Sequence, residues 1–350
     1  MAKKETITIL DIARHTGLSK GTVDRVLHNR GEVSKKSHEK VMRAIEELGY
    51  EPNVYASLLA RSQDLTVGLL VPAAEPGSFW ELVSAGAGKT AGSVETFGLS
   101  PRLFTYDQYD IDSFRDACRQ LLEARPAGVV IAPLFQEETN RFARELESGG
   151  IPYVFIDSKP DTIGHLAYFG MPPYQSGYLC ADQLTGGQDI PSALIVRIRR
   201  DRDSRSDPTL NRRAGFMDYM EQYCPECPVF HLFIDPNDPA GIDRALDAWF
   251  GLHPDVRHIV MLNSRIHLLV PWLERHPDRR RRVVGFDNLR ANMDALRRGT
   301  VTCLIAQHPE EQMRQAIEAL ADYILRKKLP ENKDNFMHMD ILTRFNVDYY

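Results

Sequence analysis

The run ITILDIARHTGLSKGTVDRVL, residues 7–27, decides how the chain is read. Ile9, Ile12 and Ala13 recur at helical spacing on one face, with Thr8 placed as an N-cap. Gly17 then supplies the residue that takes positive φ where a helix stops. Ser19 is placed to cap a second helix whose inner face is Val23, Val26 and Leu27. Two short helices joined by a tight, glycine-containing turn make a helix-turn-helix, and its second helix is the one that enters a DNA major groove. A generic helical hairpin shares these features.

Outward from this run, residues 28–33 read as a polar loop with Gly31. Ser34 caps a third helix in which Val41, Ala44, Ile45 and Leu48 fall at i, i+3, i+4 and i+7, and Gly49 ends it. Residues 1–49 are therefore expected to form a three-helix headpiece. Residues 50–63 follow as a hinge: after Pro52 and Asn53 the run is helix-capable for only about two turns, too short to hold in water by itself. It is an ordinary linker, or a segment that orders only with DNA and a second copy present.

From Thr66 the texture changes. Apolar strand candidates at 66–71, 103–106, 128–132, 153–157, 194–196, 229–233, 259–262, 283–286 and 301–305 alternate with amphipathic stretches such as 112–123, 137–147, 242–250 and 310–326. This rhythm predicts parallel sheets covered by helices on both faces, and nine strands predict two α/β lobes across residues 64–350. Ligands of such folds bind beyond the carboxyl ends of strands, here the cleft between lobes. The tail, residues 335–350, alternates apolar and polar residues and is expected to add a strand to the second lobe.

Composition narrows the function classes. At 350 residues, 43% hydrophobic and 26% charged, the chain is an ordinary globular one of two or three units. No apolar run reaches membrane-spanning length and no signal-peptide core follows Met1, so the expected compartment is the cytoplasm, without a membrane partner. Residues 1–61 carry a balance of +3, while the whole chain carries −5, which places any polyanion partner at the N-terminus. The five cysteines are too scattered for a disulfide framework. Cys224-Pro-Glu-Cys227, with His231 after it, has metal-ligand spacing but no second pair nearby, and reads as a proline-punctuated turn; no metal or cofactor is expected.

About fifty consecutive residues resemble the headpiece and hinge of the lactose-repressor/galactose-repressor (LacI/GalR) regulators. The motifs are Asp11-Ile12-Ala13, Gly17-Leu18-Ser19, Thr22-Val23-x-Arg25-Val26-Leu27, Val33-Ser34 with Val41, and Glu47-Leu48-Gly49-Tyr50-x-Pro52-Asn53. The remainder resembles that family's effector domain, through VGLLVP at 67–72, Arg212-x-Ala214-Gly215-Phe216 and VVGFDN at 283–288. The expected fold class is thus a small all-α helix-turn-helix headpiece plus a two-lobed α/β effector domain of the periplasmic-binding-protein (type I) kind.

The resemblance also implies roles. Lys20, Gly21 and Arg25 match positions that read bases, and Thr8, Ser19, Thr22 and Asn29, with His28 beside it, match positions that meet phosphates. Gly21 and Asp24 depart from the family pattern, since one has no side chain to read with and the other sets a negative charge near phosphates. In the hinge, Asn53, Ala56 and Leu59 match the minor-groove face, with Leu59 as the wedge between central base steps. A paired hinge implies a homodimer on pseudo-palindromic operator DNA. In the body, Arg212 matches the effector arginine and Asp287 the acceptor of sugar hydroxyls. Asn263 and Asp157 stand at strand ends, and Phe79, Trp80 and Tyr174 are aromatic candidates for stacking on a sugar face. The frequent Asn-Asp pair of the family is Asn263-Ser264 here.

Two charge runs remain. RIRRDRDSRSD, residues 197–207, borders the expected cleft and favours an acidic or phosphorylated effector, whereas DRRRR, residues 278–282, reads as a solvated turn. The function expected is a DNA-binding regulator, a repressor, whose operator affinity follows a sugar-like ligand. A sugar-processing enzyme fused to a headpiece is the alternative, but the chain has no nucleophile elbow, P-loop or ligand cluster to support it. A pure solute receptor is the third reading, opposed by the headpiece.

Overall fold

A computed structural model describes residues 7–27, 31, 33–48, 65–160, 164–198, 209–277 and 280–350. The chain divides into two units, Met1–Ser62 and Gln63–Tyr350.

In the first unit, α1 (Ile9–Thr16), α2 (Lys20–Leu27) and α3 (Lys35–Leu48) enclose a small core of Ile12, Ala13, Val23, Val26, Val41 and Ala44. These are residues that the helical spacing points inward. Gly17 closes α1 at φ +64, the left-handed conformation in which a side chain would be strained. Thr8 stands at the N-cap, but its backbone N–H and hydroxyl both donate to the Asp11 carboxylate (2.9 and 2.6 Å), so the cap works through Asp11. The Ser19 hydroxyl accepts from the Thr22 amide (3.1 Å) and starts α2. Residues 28 and 29, and the whole hinge with Asn53, Ala56 and Leu59, lie outside the described residues.

The second unit opens with β1 (Leu65–Pro72), α4 (Phe79–Glu95), β2 (Leu99–Tyr106), α5 (Ile111–Glu123), β3 (Gly128–Ile131), α6 (Gln136–Ser148), β4 (Tyr153–Ile156) and β5 (Tyr168–Gly170). It continues with α7 (Pro173–Thr185), β6 (Ala193–Ile198), α8 (Thr209–Tyr223), β7 (Val229–Ile234), α9 (Pro239–Leu252), β8 (His258–Val260), α10 (Val270–Arg275), β9 (Arg282–Phe286), α11 (Arg290–Arg298) and β10 (Cys303–Ala306). It ends with α12 (Pro309–Arg326), β11 (Asp334–Phe336) and β12 (Asp340–Leu342).

Two six-stranded sheets result, ordered β11-β5-β4-β3-β1-β2 and β12-β10-β9-β8-β6-β7. Every pairing is parallel except β12 against β10. The chain crosses between lobes three times: after β5, after β10 and between β11 and β12. The central strands of each sheet are buried on both faces, as parallel sheets require. In β6, Leu194 and Val196 join one core while Ala193 and Ile195 join the other, the period of two that strands impose. Helix α12 returns to the first lobe and completes its core with Met313, Ala316, Ile317 and Leu320.

The nine strand candidates all fall on strands, and the tail does add β12 to the second lobe. Two short strands, β5 and β11, lie outside the nine candidates. The arginine-rich run before β9 is not simply a solvated turn. Arg281 packs against Phe250 and Trp272 (4.9 Å to each ring centroid), and Arg282 Nε donates to the Gln183 carbonyl (2.7 Å). Cys224 and Cys227 are buried among the apolar residues of the second lobe, and burial pushes the Cys227 thiol up to about 11. Among the described residues no group of three or more His, Cys, Asp or Glu converges as a metal site, and no helix is long and apolar enough to cross a membrane.

Candidate functional site

The cleft lies between the two sheets, at the carboxyl ends of their strands, and encloses a cavity of about 480 Å³, within the range of small-molecule sites. Its floor is set by two acids in matching positions. Asp157 follows β4 at φ +64 and Asp287 follows β9 at φ +69, a left-handed turn that Asp tolerates better than most residues and that re-aims the side chain.

Asp287 is 1% exposed, and its Oδ1 has no hydrogen-bond partner. Burial drives its carboxyl up to about 7, with Arg212 pulling the other way and Asp157 adding to the rise. The side-chain oxygen of Gln307, also lining the cavity, is likewise buried without a donor. An acceptor left unsatisfied costs about 1–3 kcal/mol, so this floor favours a ligand that brings hydroxyl donors.

Arg212, 8% exposed on α8, is held on three sides. Its Nε donates to the Ser176 hydroxyl (3.0 Å), Nη1 to the Leu262 carbonyl (2.8 Å), and its guanidinium lies 4.0 Å from the Phe286 ring centroid. Two glycines make this possible. A Cβ at Gly177 would overlap the Arg212 carbonyl oxygen, and one at Gly215 would overlap that of Tyr174, so α7 and α8 touch backbone to backbone. The Arg212-x-Ala214-Gly215-Phe216 set thus carries both the arginine and the contact that aims it, with Phe216 fully buried below.

Two buried amides tie the loops that bear the site. Asn292 Nδ2 donates to the carbonyls of Ser264, Phe286 and Asp287 (2.8, 3.0 and 3.2 Å), clamping the loop after β8 to that after β9. Gln312 accepts from the Asp157 amide (3.1 Å) and donates to the Gln307 carbonyl (2.8 Å). From the first lobe, Phe79 and Trp80 meet edge to face (5.0 Å between centroids) at the start of α4, capped by Ser78. Asn263 also lines the cavity, but its Oδ1 accepts from the Arg265 amide (2.9 Å).

Of the sequence-derived cleft residues, Arg212, Asp287, Asn263, Asp157, Phe79 and Trp80 come together there. Tyr174 does not. Pro173 faces the cavity, and one residue further round α7 the Tyr174 ring points away, its hydroxyl donating to Asp218 (2.7 Å). Cavity residues not anticipated include Gln108, Tyr109, Gln136, Arg213, Arg265 and Gln307. All six stand in or beside segments that follow strand ends, Gln307 directly after β10, which is the one signal that points to them.

In the first unit, Lys20, Gly21 and Arg25 share the exposed side of α2, opposite buried Val23 and Val26. Arg25 Nε donates to the Gly21 carbonyl (3.1 Å). A Cβ at Gly21 would meet only the Ser19 hydroxyl at 3.9 Å, so nothing among the described residues requires glycine there.

Residues 8–53 match the family model of the bacterial regulatory proteins, lacI family, and residues 67–328 match that of the periplasmic binding protein domain. The chain belongs to the LacI/GalR family. LacI-family relatives include the ribose operon repressor of Halalkalibacterium halodurans, 33% identical over 43% of this chain and 42% of the relative. The lactose operon repressor of Escherichia coli is 29% identical over 45% and 42%. In these matches the chain spans less than half the length of each repressor. A crystal structure assigned as a LacI transcriptional regulator from Bacteroides fragilis superposes with a TM-score of 0.78 at 32% identity, covering 82% of this chain and 100% of the other. The LacI-family body is thus the two-lobed cleft, and its headpiece the helix-turn-helix.

Proposed function

We propose that this chain is a transcription regulator that binds operator DNA through α2 and takes a sugar-like, polyhydroxylated molecule between its lobes. The observation that carries the ligand half is buried Asp287, whose Oδ1 has no donor, beside Arg212 and across from Phe79 and Trp80. Vicinal hydroxyls supply donors to Asp287 and Gln307, the Arg212 guanidinium donates to hydroxyl oxygens, and an aromatic face covers the apolar side of a sugar ring. Two repressors named for ribose and lactose operons support the same reading.

For DNA, exposed Lys20 and Arg25 address base edges, and Gly21 lets the helix backbone approach closely. Ser19, Thr22, Thr8 and Asn29 meet phosphates. Asn53, Ala56 and Leu59 line the minor groove from the hinge of a homodimer, in the cytoplasm. Ligand binding changes operator affinity by as much as it distinguishes the two arrangements of the lobes.

Thermal unfolding of the full chain against neutral sugars, sugar acids and sugar phosphates tests this. A ligand at about 100 times its Kd adds about 2.7 kcal/mol, a readily measured rise in Tm. The same compound should change operator affinity in a gel-shift assay, and Asp287→Ala should abolish both effects. Ligand binding that leaves operator affinity untouched would sink the regulatory reading.

A further inference from the structure

Several arginines of the body are paired with carboxylates. Arg115 bonds Glu138 and Asp112, Arg297 bonds Asp348 and Asp294, Arg298 bonds Glu274, and Arg275 bonds Asp243, each within 2.9 Å. The cleft is richer in cations than in carboxylates. Its lining holds Lys159, Arg197, Arg212, Arg213 and Arg265 against only two carboxylates, Asp157 and Asp287. Lys159 is paired with Asp334 outside the lining, and Arg212 is committed to Ser176, Leu262 and Phe286.

Arg213 and Arg265 are half-buried, and neither has a carboxylate partner among the described residues. Arg265 reaches across the cleft to the ring of Tyr109 (5.9 Å to its centroid), so the charge faces the ligand space from the second lobe. Burial, and then the charges of Arg197 and Arg213, lower the pKa of the neighbouring His231, which places both guanidinium groups in one region beside β6 and β7. Half-buried guanidinium groups without counter-charge are under-solvated, and their planar donors fit carboxylate and phosphate oxygens in pairs.

We propose that the molecule taken into this cleft is an anion: a polyhydroxylated body bearing a carboxylate or a phosphate, whose charged oxygens bind Arg213 and Arg265. This rests on the reading of the cleft as a sugar-type site and adds the charge. The two ends of the cavity sort the ligand. Asp287 repels the anionic group and accepts from hydroxyls, and the arginines take the charge.

The test uses the full chain and ligand pairs that differ only in charge: glucose with glucuronate and glucose 6-phosphate, galactose with galacturonate, ribose with ribose 5-phosphate, and inorganic phosphate alone. Binding is read by calorimetry and by Tm. One acidic member should bind at least about tenfold tighter than its neutral parent, and lose affinity steeply between about 50 and about 500 mM salt. Arg213→Gln and Arg265→Gln should each weaken that acid about tenfold and bring its affinity towards that of the neutral parent, with each variant still unfolding cooperatively. The carboxylate and phosphate arms separate the two sources of charge. A neutral sugar that binds as tightly as its acid overturns the anion and leaves the sugar reading standing. Binding by no member, with the protein folded, overturns both. Inorganic phosphate binding alone, with no sugar preference, also overturns the proposal.

Discussion

The two walls of the cleft are built from the same parallel architecture and have opposite chemistry. The first lobe presents Phe79, Trp80, Tyr109, Tyr168 and Phe336 with Asp157 and a paired lysine, whereas the second presents Arg197, Arg212, Arg213, Arg265 and buried Asp287. A sheet fixes where loops meet, and leaves to those loops what they carry. The first wall is mainly aromatic and the second mainly cationic.

The largest expected effect comes from removing the charge that the second wall is arranged around. Arg212→Ala leaves Asp287 without its nearby cation and Ser176 without its donor, and should lower unfolding free energy by about 3–5 kcal/mol, read from the denaturant midpoint. Asp287→Asn sharpens the same point in the opposite direction. Because the folded carboxyl titrates near 7 rather than at 3.8, the native state holds its proton longer than the unfolded one. The penalty is absent near pH 4, grows as pH rises between the two values, and is complete above about 7. The Asn variant should therefore exceed the parent by up to about 4 kcal/mol near pH 8 and match it near pH 4, while losing its ligand. An equal difference at both pH values would remove burial as the cause.

On the first wall, Trp80→Leu should cost about 1–3 kcal/mol by leaving space beside Phe79, with no dependence on pH or salt. A cost that varied with salt would blur the contrast between walls. The smallest effect belongs to the headpiece. Gly21→Ala has room, and should stabilise the helix by about 0.5–1 kcal/mol while weakening operator binding, so the two readouts move apart.

Much of this was legible before any coordinates. The headpiece core follows from helical spacing, and Asp287 and Arg212 from VVGFDN and the arginine-glycine set. Tyr174 shows where legibility stops. The start of α7 lies in GMPPYQSG, which carries no period, so the helix phase, and with it which of Pro173 and Tyr174 faces the cavity, is fixed only by the packing of Gly177 on α8. Asn292 and Gln312 are invisible for a related reason. In sequence they are ordinary polar residues on amphipathic helices, and only the folded loops reveal that both are fully buried clamps.

The route of the chain has a consequence for biosynthesis. The first lobe begins at Leu65, yet Met313, Ala316, Ile317 and Leu320 of its core, and its edge strand β11, lie beyond the entire second lobe. On a ribosome the second lobe has most of its strands before the first can close, so the segment made early waits with an open apolar face. Chaperone dependence during synthesis should therefore track the first lobe, and circular permutants that bring residues 309–336 ahead of β1 should relieve it.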